Sequence, residues 1–206
     1  MTYEEIRRET LSHINQYSIA GTPVAATYNN QADALARIPI LINEALMNIR
    51  TLVRGRPVVY PLTGGEAVGE MMRYRLPADF HTLRTGGVTV LEKGRFQGTN
   101  DYRLQGRDCI LLPREAEGRV TVEYYPYPPQ LPMDPAEDFV LEEDPEVIQT
   151  ATYYAAAGLA LQEDEFAYAA LYNDYESRLS RITAGPAAEA APVADVYGFT
   201  GGGDSR

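Results

Sequence analysis

The residues with chemistry to offer are few and do not converge. His13 and His81 are the only histidines. One falls in a helical pattern and the other just after a turn, and neither has a Cys, His or acid at metal-ligand spacing, so no zinc site is read. Cys109, in Asp108-Cys-Ile-Leu-Leu, sits in a strand pattern and reads as a small buried hydrophobe rather than a nucleophile. Leu62-Thr-Gly-Gly-Glu-Ala-Val-Gly69 holds glycines but no Gly-Lys-Ser/Thr and no strand-to-helix frame, so it reads as a turn rather than a phosphate cradle. The carboxylates are denser. Asp134, Glu137, Asp138, Glu142, Glu143, Asp144 and Glu146 are the acids on which metal or glycosidase chemistry would have to draw. They lack the Asp-x-Asp-x-Asp-Gly pattern of calcium loops, and Pro132 and Pro135 make the segment a loop. A solvated acidic linker is the simpler reading. Asp79, in Leu76-Pro-Ala-Asp-Phe80, reads as a turn former whose carboxylate accepts backbone N–H bonds. No acid is paired with a nucleophile or a metal ligand, so neither catalytic residues nor a cofactor are expected.

Charge is distributed far more tellingly than chemistry. Residues 120–177 contain no Lys or Arg and 13 Asp and Glu, while residues 1–119 carry 15 basic and 13 acidic groups. An acidic field of this kind repels phosphate and argues against sequence-specific nucleic-acid recognition. The basic residues are 17 Arg and one Lys, Lys93, a bias toward planar multidentate pairing that suits permanent polar interfaces, although genome composition gives the same bias. The single Cys109 excludes an internal disulfide and fits a reducing compartment. No apolar run approaches the roughly 20 residues that span a bilayer, and Met1-Thr-Tyr-Glu-Glu-Ile does not read as a signal peptide.

Fifteen tyrosines stand against no tryptophan. Tyr124-Tyr-Pro-Tyr-Pro-Pro129 is an extended aromatic–proline run. It reads as a stiff strand exit packed back on the core, or as a docking or sugar-stacking strip.

The elements that must carry these residues follow from periodicity. Thr2 with Glu5 forms a capping box that opens a helix over residues 2–18. A second helix is expected over residues 30–54, its apolar positions Leu35, Ile38, Ile42, Leu46, Ile49 and Val53 stepping by three and four. Pro39 predicts a kink or a start, and Gly55 a C′ residue. From Arg56 to Pro129 six short strands are predicted, with turns at Lys93-Gly94, Gln105-Gly106 and Glu117-Gly118. Asp144-Pro145-Glu146 opens a third helix rich in alanine, which predicts neighbours on more than one side. A break at Gln162-Glu-Asp164 leads to a fourth helix over residues 165–182. The expected fold is α+β: an antiparallel four-helix body with a small antiparallel β subdomain inserted between the second and third helices, plus an extended C-terminal tail. The corresponding units are 1–55 and 130–184 for the helical body, 56–129 for the β subdomain and 185–206 for a flexible arm.

These residues resemble the head–tail connector (adaptor) proteins of tailed bacteriophages. Tyr74-Arg-Leu-Pro-Ala-Asp-Phe80 is similar to a Leu-Pro-x-Asp-Phe turn of such adaptors. Val122-Glu-Tyr-Tyr-Pro-Tyr-Pro-Pro129 resembles their strand returning to the helices, and Tyr153-Tyr-Ala-Ala-Ala157 with Tyr172-Asn-Asp-Tyr-Glu-Ser-Arg-Leu179 their final helical pair. The likeness covers residues 28–183. It implies a non-enzymatic structural protein of the virion neck, made in the host bacterial cytoplasm. The implied assembly is a dodecameric homo-oligomeric ring beneath the portal protein, contacting a downstream neck or tail protein, through which DNA passes without sequence-specific binding. It also implies a C-terminal arm that grips neighbours, for which Pro192, Tyr197 and Phe199 are the partner-binding candidates. Asp134, Glu137, Asp138, Glu142 and Glu143 become candidates for facing DNA in the channel. The rival reading is a soluble binding module whose β region recognises a carbohydrate or surface through Tyr125 and Tyr127.

Overall fold

Local capping rules place the helices. In the computed structural model, which describes residues 1–14, 28–92, 95–114, 120–161 and 165–184, Thr2 and Glu5 close the expected capping box. The Glu5 carboxylate accepts from the Thr2 amide at 2.9 Å and the Thr2 hydroxyl from the Glu5 amide at 3.3 Å. They open α1 (Tyr3–His13). Asp144 opens α3 (Pro145–Ala160), its carboxylate accepting from the Glu146 amide at 2.9 Å. α2 (Tyr28–Leu52) runs through Pro39, and α4 (Glu165–Ala184) ends the described chain. Gly55 does not take the left-handed conformation of a C′ residue, since the positive-φ glycines described are Gly64, Gly69, Gly86 and Gly106. Its missing side chain instead leaves room for the Arg50 guanidinium, 3.4 Å from where a Cβ would stand.

The apolar stripe of α2 finds its partners in α3. Ile38, Ile42, Ala45, Leu46 and Ile49 are fully buried and cluster with Val147, Ile148, Ala151, Ala155 and Leu159 of α3, Tyr175 and Leu179 of α4, and Ile6 and Leu11 of α1. Each buried Leu or Ile contributes about 1.5–3 kcal/mol. Two loop residues, Leu131 and Leu141, complete this core.

The strands come next: β1 (Val58–Leu62), β2 (Glu66–Val68), β3 (Met71–Arg75), β4 (Phe80–Glu92), β5 (Arg95–Gly98), β6 (Arg103–Gln105), β7 (Cys109–Pro113) and β8 (Val120–Pro126). They pair antiparallel in two four-stranded sheets, ordered β1-β8-β4-β5 and β2-β3-β7-β6. The alternation of β8 buries Val120, Val122 and Tyr124, as its sequence predicts. These side chains meet Tyr74, Ile110 and Leu112 of the second sheet in a second core that shares no residue with the first. β4 carries a bulge: Leu83 pairs with Tyr124 but Val88 with Val122, so residues 84–87 oppose Glu123 alone.

The expected four-helix body with one small β subdomain is overturned. α3 packs against α1, α2 and α4, whereas α1 and α2 meet only marginally, so the helices gather about one central helix without closing into a four-helix body. The cause is composition. α3 buries Thr150, Ala151, Thr152, Ala155, Ala156, Ala157 and Ala160 around its circumference, and such small side chains admit neighbours on several sides. The strands that follow α2 are likewise two complete sheets with their own core rather than a small insert. What stands is an α+β chain with four helices and two antiparallel sheets among the described residues. The expected turns at 93–94, 117–118 and 162–164 lie outside the described residues, as does the arm over residues 185–206.

Candidate functional site

The acidic segment before α3 is a loop held at several points. Asn43 of α2 clasps Leu131 twice, donating to its carbonyl and accepting from its amide, both at 2.8 Å. Farther on, the Tyr3 amide donates to the Phe139 carbonyl at 2.8 Å and the Glu4 amide to that of Glu137 at 3.0 Å. The free amides at the N-terminus of α1 thus find acceptors in this loop, which is why the loop follows the helix end. Met133 and Val140 remain 69% and 55% exposed beside the acids.

The five acids proposed to face DNA separate into two groups. Asp134, Asp138 and Glu142 are exposed, without an ion-pair partner among the described residues. Glu137 pairs with Arg7 at 3.0 Å. Glu143 pairs with Arg50 through both carboxylate oxygens, in a contact where the side chains keep only 12% (Arg50) and 9% (Glu143) of their exposure. The partner-binding candidates Pro192, Tyr197 and Phe199 lie outside the described residues.

A cleft of about 710 Å³ opens where the end of α2 meets the strand exit and the acidic loop. Arg50, Arg54 and Arg56 contribute to its lining, as do Glu142, Asp144 and Glu146. Arg50, Arg54, Glu143 and Asp144 have partners in the structure, while Glu142 has no ion-pair partner among the described residues. Arg50 holds Glu143, Asp144 caps α3, and the Arg54 guanidinium lies 5.2 Å from the Tyr125 ring centroid. The cleft lining includes no His, Cys, Ser or Thr, so nothing there pairs a nucleophile with a base.

The aromatic–proline run is anchored residue by residue. Tyr124 is buried, and its hydroxyl donates to the Asp79 carboxylate at 2.8 Å. Burial, followed by this bond to an anion, pushes the phenol up to about 12. The expected bonds from backbone N–H groups of its own turn to the Asp79 carboxylate do not form among the described residues, where its side-chain partner is the Tyr124 hydroxyl. Asp79 fastens the turn to β8, assisted by its carbonyl accepting from the Tyr127 amide at 2.8 Å. Tyr127 stacks on His81 with centroids 4.5 Å apart and accepts from Arg107 at 3.1 Å. With Arg54 over Tyr125, each of the two rings considered for sugar stacking already has a face engaged. Cys109 is half-buried and points away from the inter-sheet core, opposite in alternation to Ile110 and Leu112.

One cluster has no signature in the sequence. His13 stacks on Tyr153 at 3.9 Å between centroids, with Nε2 3.2 Å from the Thr152 hydroxyl. Arg178 sits 4.2 Å from the same tyrosine ring and donates to its hydroxyl at 3.0 Å. Burial, and then the Arg178 charge, lower the His13 pKa, while Asp174 opposes them. His13 is 140 residues from Tyr153 in sequence, so no spacing rule finds the contact.

Among the described residues no group of three or more His, Cys, Asp or Glu side chains is placed to hold a metal ion. No helix among them is long and apolar enough to cross a membrane. No family model matches the chain, and no curated protein matches its sequence.

Proposed function

We propose that this chain is a structural, non-enzymatic protein of a tailed-bacteriophage virion: a head-to-tail adaptor that forms a dodecameric ring beneath the portal and meets a downstream neck or tail protein. The observation that carries the reading is the order of three local patterns: the Leu76-Pro-Ala-Asp-Phe80 turn, the Tyr124–Pro129 strand exit and the Tyr/Ala-rich final helices. The first two are physically linked in this chain by the Tyr124–Asp79 bond, which gives the turn and the strand exit a shared purpose.

Charge supports the same reading. DNA affinity is driven by cations that neutralise phosphate and release counterions. A span from 120 to 177 with 13 Asp and Glu and no Lys or Arg supplies the reverse: a surface along which a duplex slides without adhering. The place of action is the virion neck. Native mass spectrometry of the full chain, alone and with purified portal, is the test. A ring or a portal-bound assembly is expected, and a monomer that never joins portal sinks the proposal.

A further inference from the structure

We infer that the outer face of the β2-β3-β7-β6 sheet docks on the acidic loop before α3 of a second copy of this chain. The inference rests on the ring reading above and assigns the contact that builds it.

Register defines the face. Residues directly opposite in antiparallel strands share a side. Glu66 opposes Arg73, Arg73 and Arg103 both oppose Leu111, Arg75 opposes Cys109, and Val68 opposes Met71. Tyr74, Ile110 and Leu112, the alternate residues, fill the inter-sheet core, so the first set points outward. The outer face is therefore an apolar strip of Val68, Met71 and Leu111 with arginines around it. Arg73 is paired with Glu66. Arg75 and Arg103 are exposed and have no ion-pair partner among the described residues.

The acidic loop is built as its counterpart. Its exposed apolar residues Met133 and Val140 stand among Asp134, Asp138 and Glu142, none of which has an ion-pair partner among the described residues. Apolar contact supplies burial, and opposite charge supplies register and partner choice. The two surfaces belong to different parts of one chain, one on a sheet with its own core and one on the helical body. Pairing unlike surfaces between copies is heterologous association, which closes into a ring when the rotation allows. Nucleic acid fits the sheet face less well, because no aromatic residue lies among its outward side chains and Glu66 occupies part of it. For Asp138 and Glu142 the inference assigns a neighbour's arginines in place of DNA.

The full chain provides its own reporter, since its one cysteine, Cys109, lies half-buried on this face. The experiment measures self-association by sedimentation velocity and the rate of Cys109 alkylation by iodoacetamide, at low and high salt. Arg75→Glu with Arg103→Glu, and separately Asp138→Arg with Glu142→Arg, are each expected to weaken association by about tenfold or more. The four changes together restore it, and Cys109 reacts more slowly in the associated wild type. Circular dichroism checks the folding of each variant, and the two pairs lie on separate cores. Association unchanged in both pairs, or Cys109 equally reactive throughout, overturns the inference and leaves the ring reading standing. Duplex DNA binding by the wild type that Arg75→Glu with Arg103→Glu abolishes overturns it in favour of a nucleic-acid face. A wild type that associates neither alone at any concentration or salt nor beside purified portal removes inference and ring reading together.

Discussion

Arg50 and Glu143 are joined by two hydrogen bonds that tie the last turn of α2 to the residue preceding the α3 cap. Arg50 also donates to the Val53 carbonyl at 3.3 Å, and the Glu143 carboxylate accepts from the Asp144 amide at 2.7 Å. A carboxylate so placed holds the loop in position and has little charge left for a DNA channel. Removing one partner strands the other in a nearly closed site, so Glu143→Ala is expected to cost about 3 kcal/mol. Replacing both by apolar residues, Arg50→Met with Glu143→Leu, should cost clearly less. Urea unfolding of the two variants checks this, and a loss in the double variant as large as that of Glu143→Ala would contradict it.

Tyr124 gives an alkaline signature. Its folded-state pKa, about 12, lies above the ordinary tyrosine value of 10. The unfolded chain ionises first, so this contribution to stability is full below the unfolded value and is lost as pH rises through the folded one. Tyr175, pushed up to about 12 chiefly by burial, acts in the same direction. Thermal stability should therefore fall between pH 10 and about 12, and Tyr124→Phe should flatten that fall. Asp79→Ala, which leaves the buried hydroxyl without its acceptor, is expected to lower stability by about 1–3 kcal/mol at neutral pH.

His13 gives a signature at the other end. Its pKa is lowered from 6.5. The fold favours the neutral ring, so its contribution is present above the unfolded value and is lost as pH falls through the folded one. The melting temperature should drop as pH falls from about 7 to about 5, and His13→Phe, which keeps an aromatic ring for the stack, should lessen the drop. Glu9 is raised by burial and so acts with opposite sign once pH approaches the carboxylate range, which confines the test to this window. A melting curve equally steep in wild type and variant would contradict the assignment.

The bulge in β4 predicts an intolerant glycine. A Cβ on Gly87 would run into the Glu123 carbonyl oxygen and lie 2.8 Å from that of Arg84, both backbone atoms that cannot swing aside. Gly87→Ala is expected to cost about 1–3 kcal/mol, read by denaturant unfolding. Gly158 offers the contrast, because its nearest neighbour is the flexible Leu41 side chain at 2.8 Å. Gly158→Ala should be milder.

Legibility followed the range of the interactions. The Thr2–Glu5 capping box, the Asp144 start of α3 and the burial of Val120, Val122 and Tyr124 are local, set by neighbours within a few residues, and all could be read in advance. β2 was hidden in a glycine-rich stretch read as a turn. It is an edge strand of three exposed residues between Gly64 and Gly69, both at positive φ. In β4 the bulge holds Gly86 and Gly87, which interrupt alternation without ending the strand, so alternation alone shows less of the strand than forms. The helix arrangement failed for a different reason. The alanines of α3 foretell neighbours on more than one side, as found, but helical periodicity does not say that α1 and α2 meet only marginally. At the site, the acids were visible, but their ion pairing was not. Nothing near Glu137 or Glu143 in sequence names Arg7 or Arg50 as partners.

The central claim is that copies of this chain close into a ring that joins a portal. Native mass spectrometry of the full chain mixed with purified portal protein tests it most directly. The account predicts one closed assembly carrying a fixed, dodecameric complement of this chain. A chain that remains monomeric both alone and beside portal would contradict it.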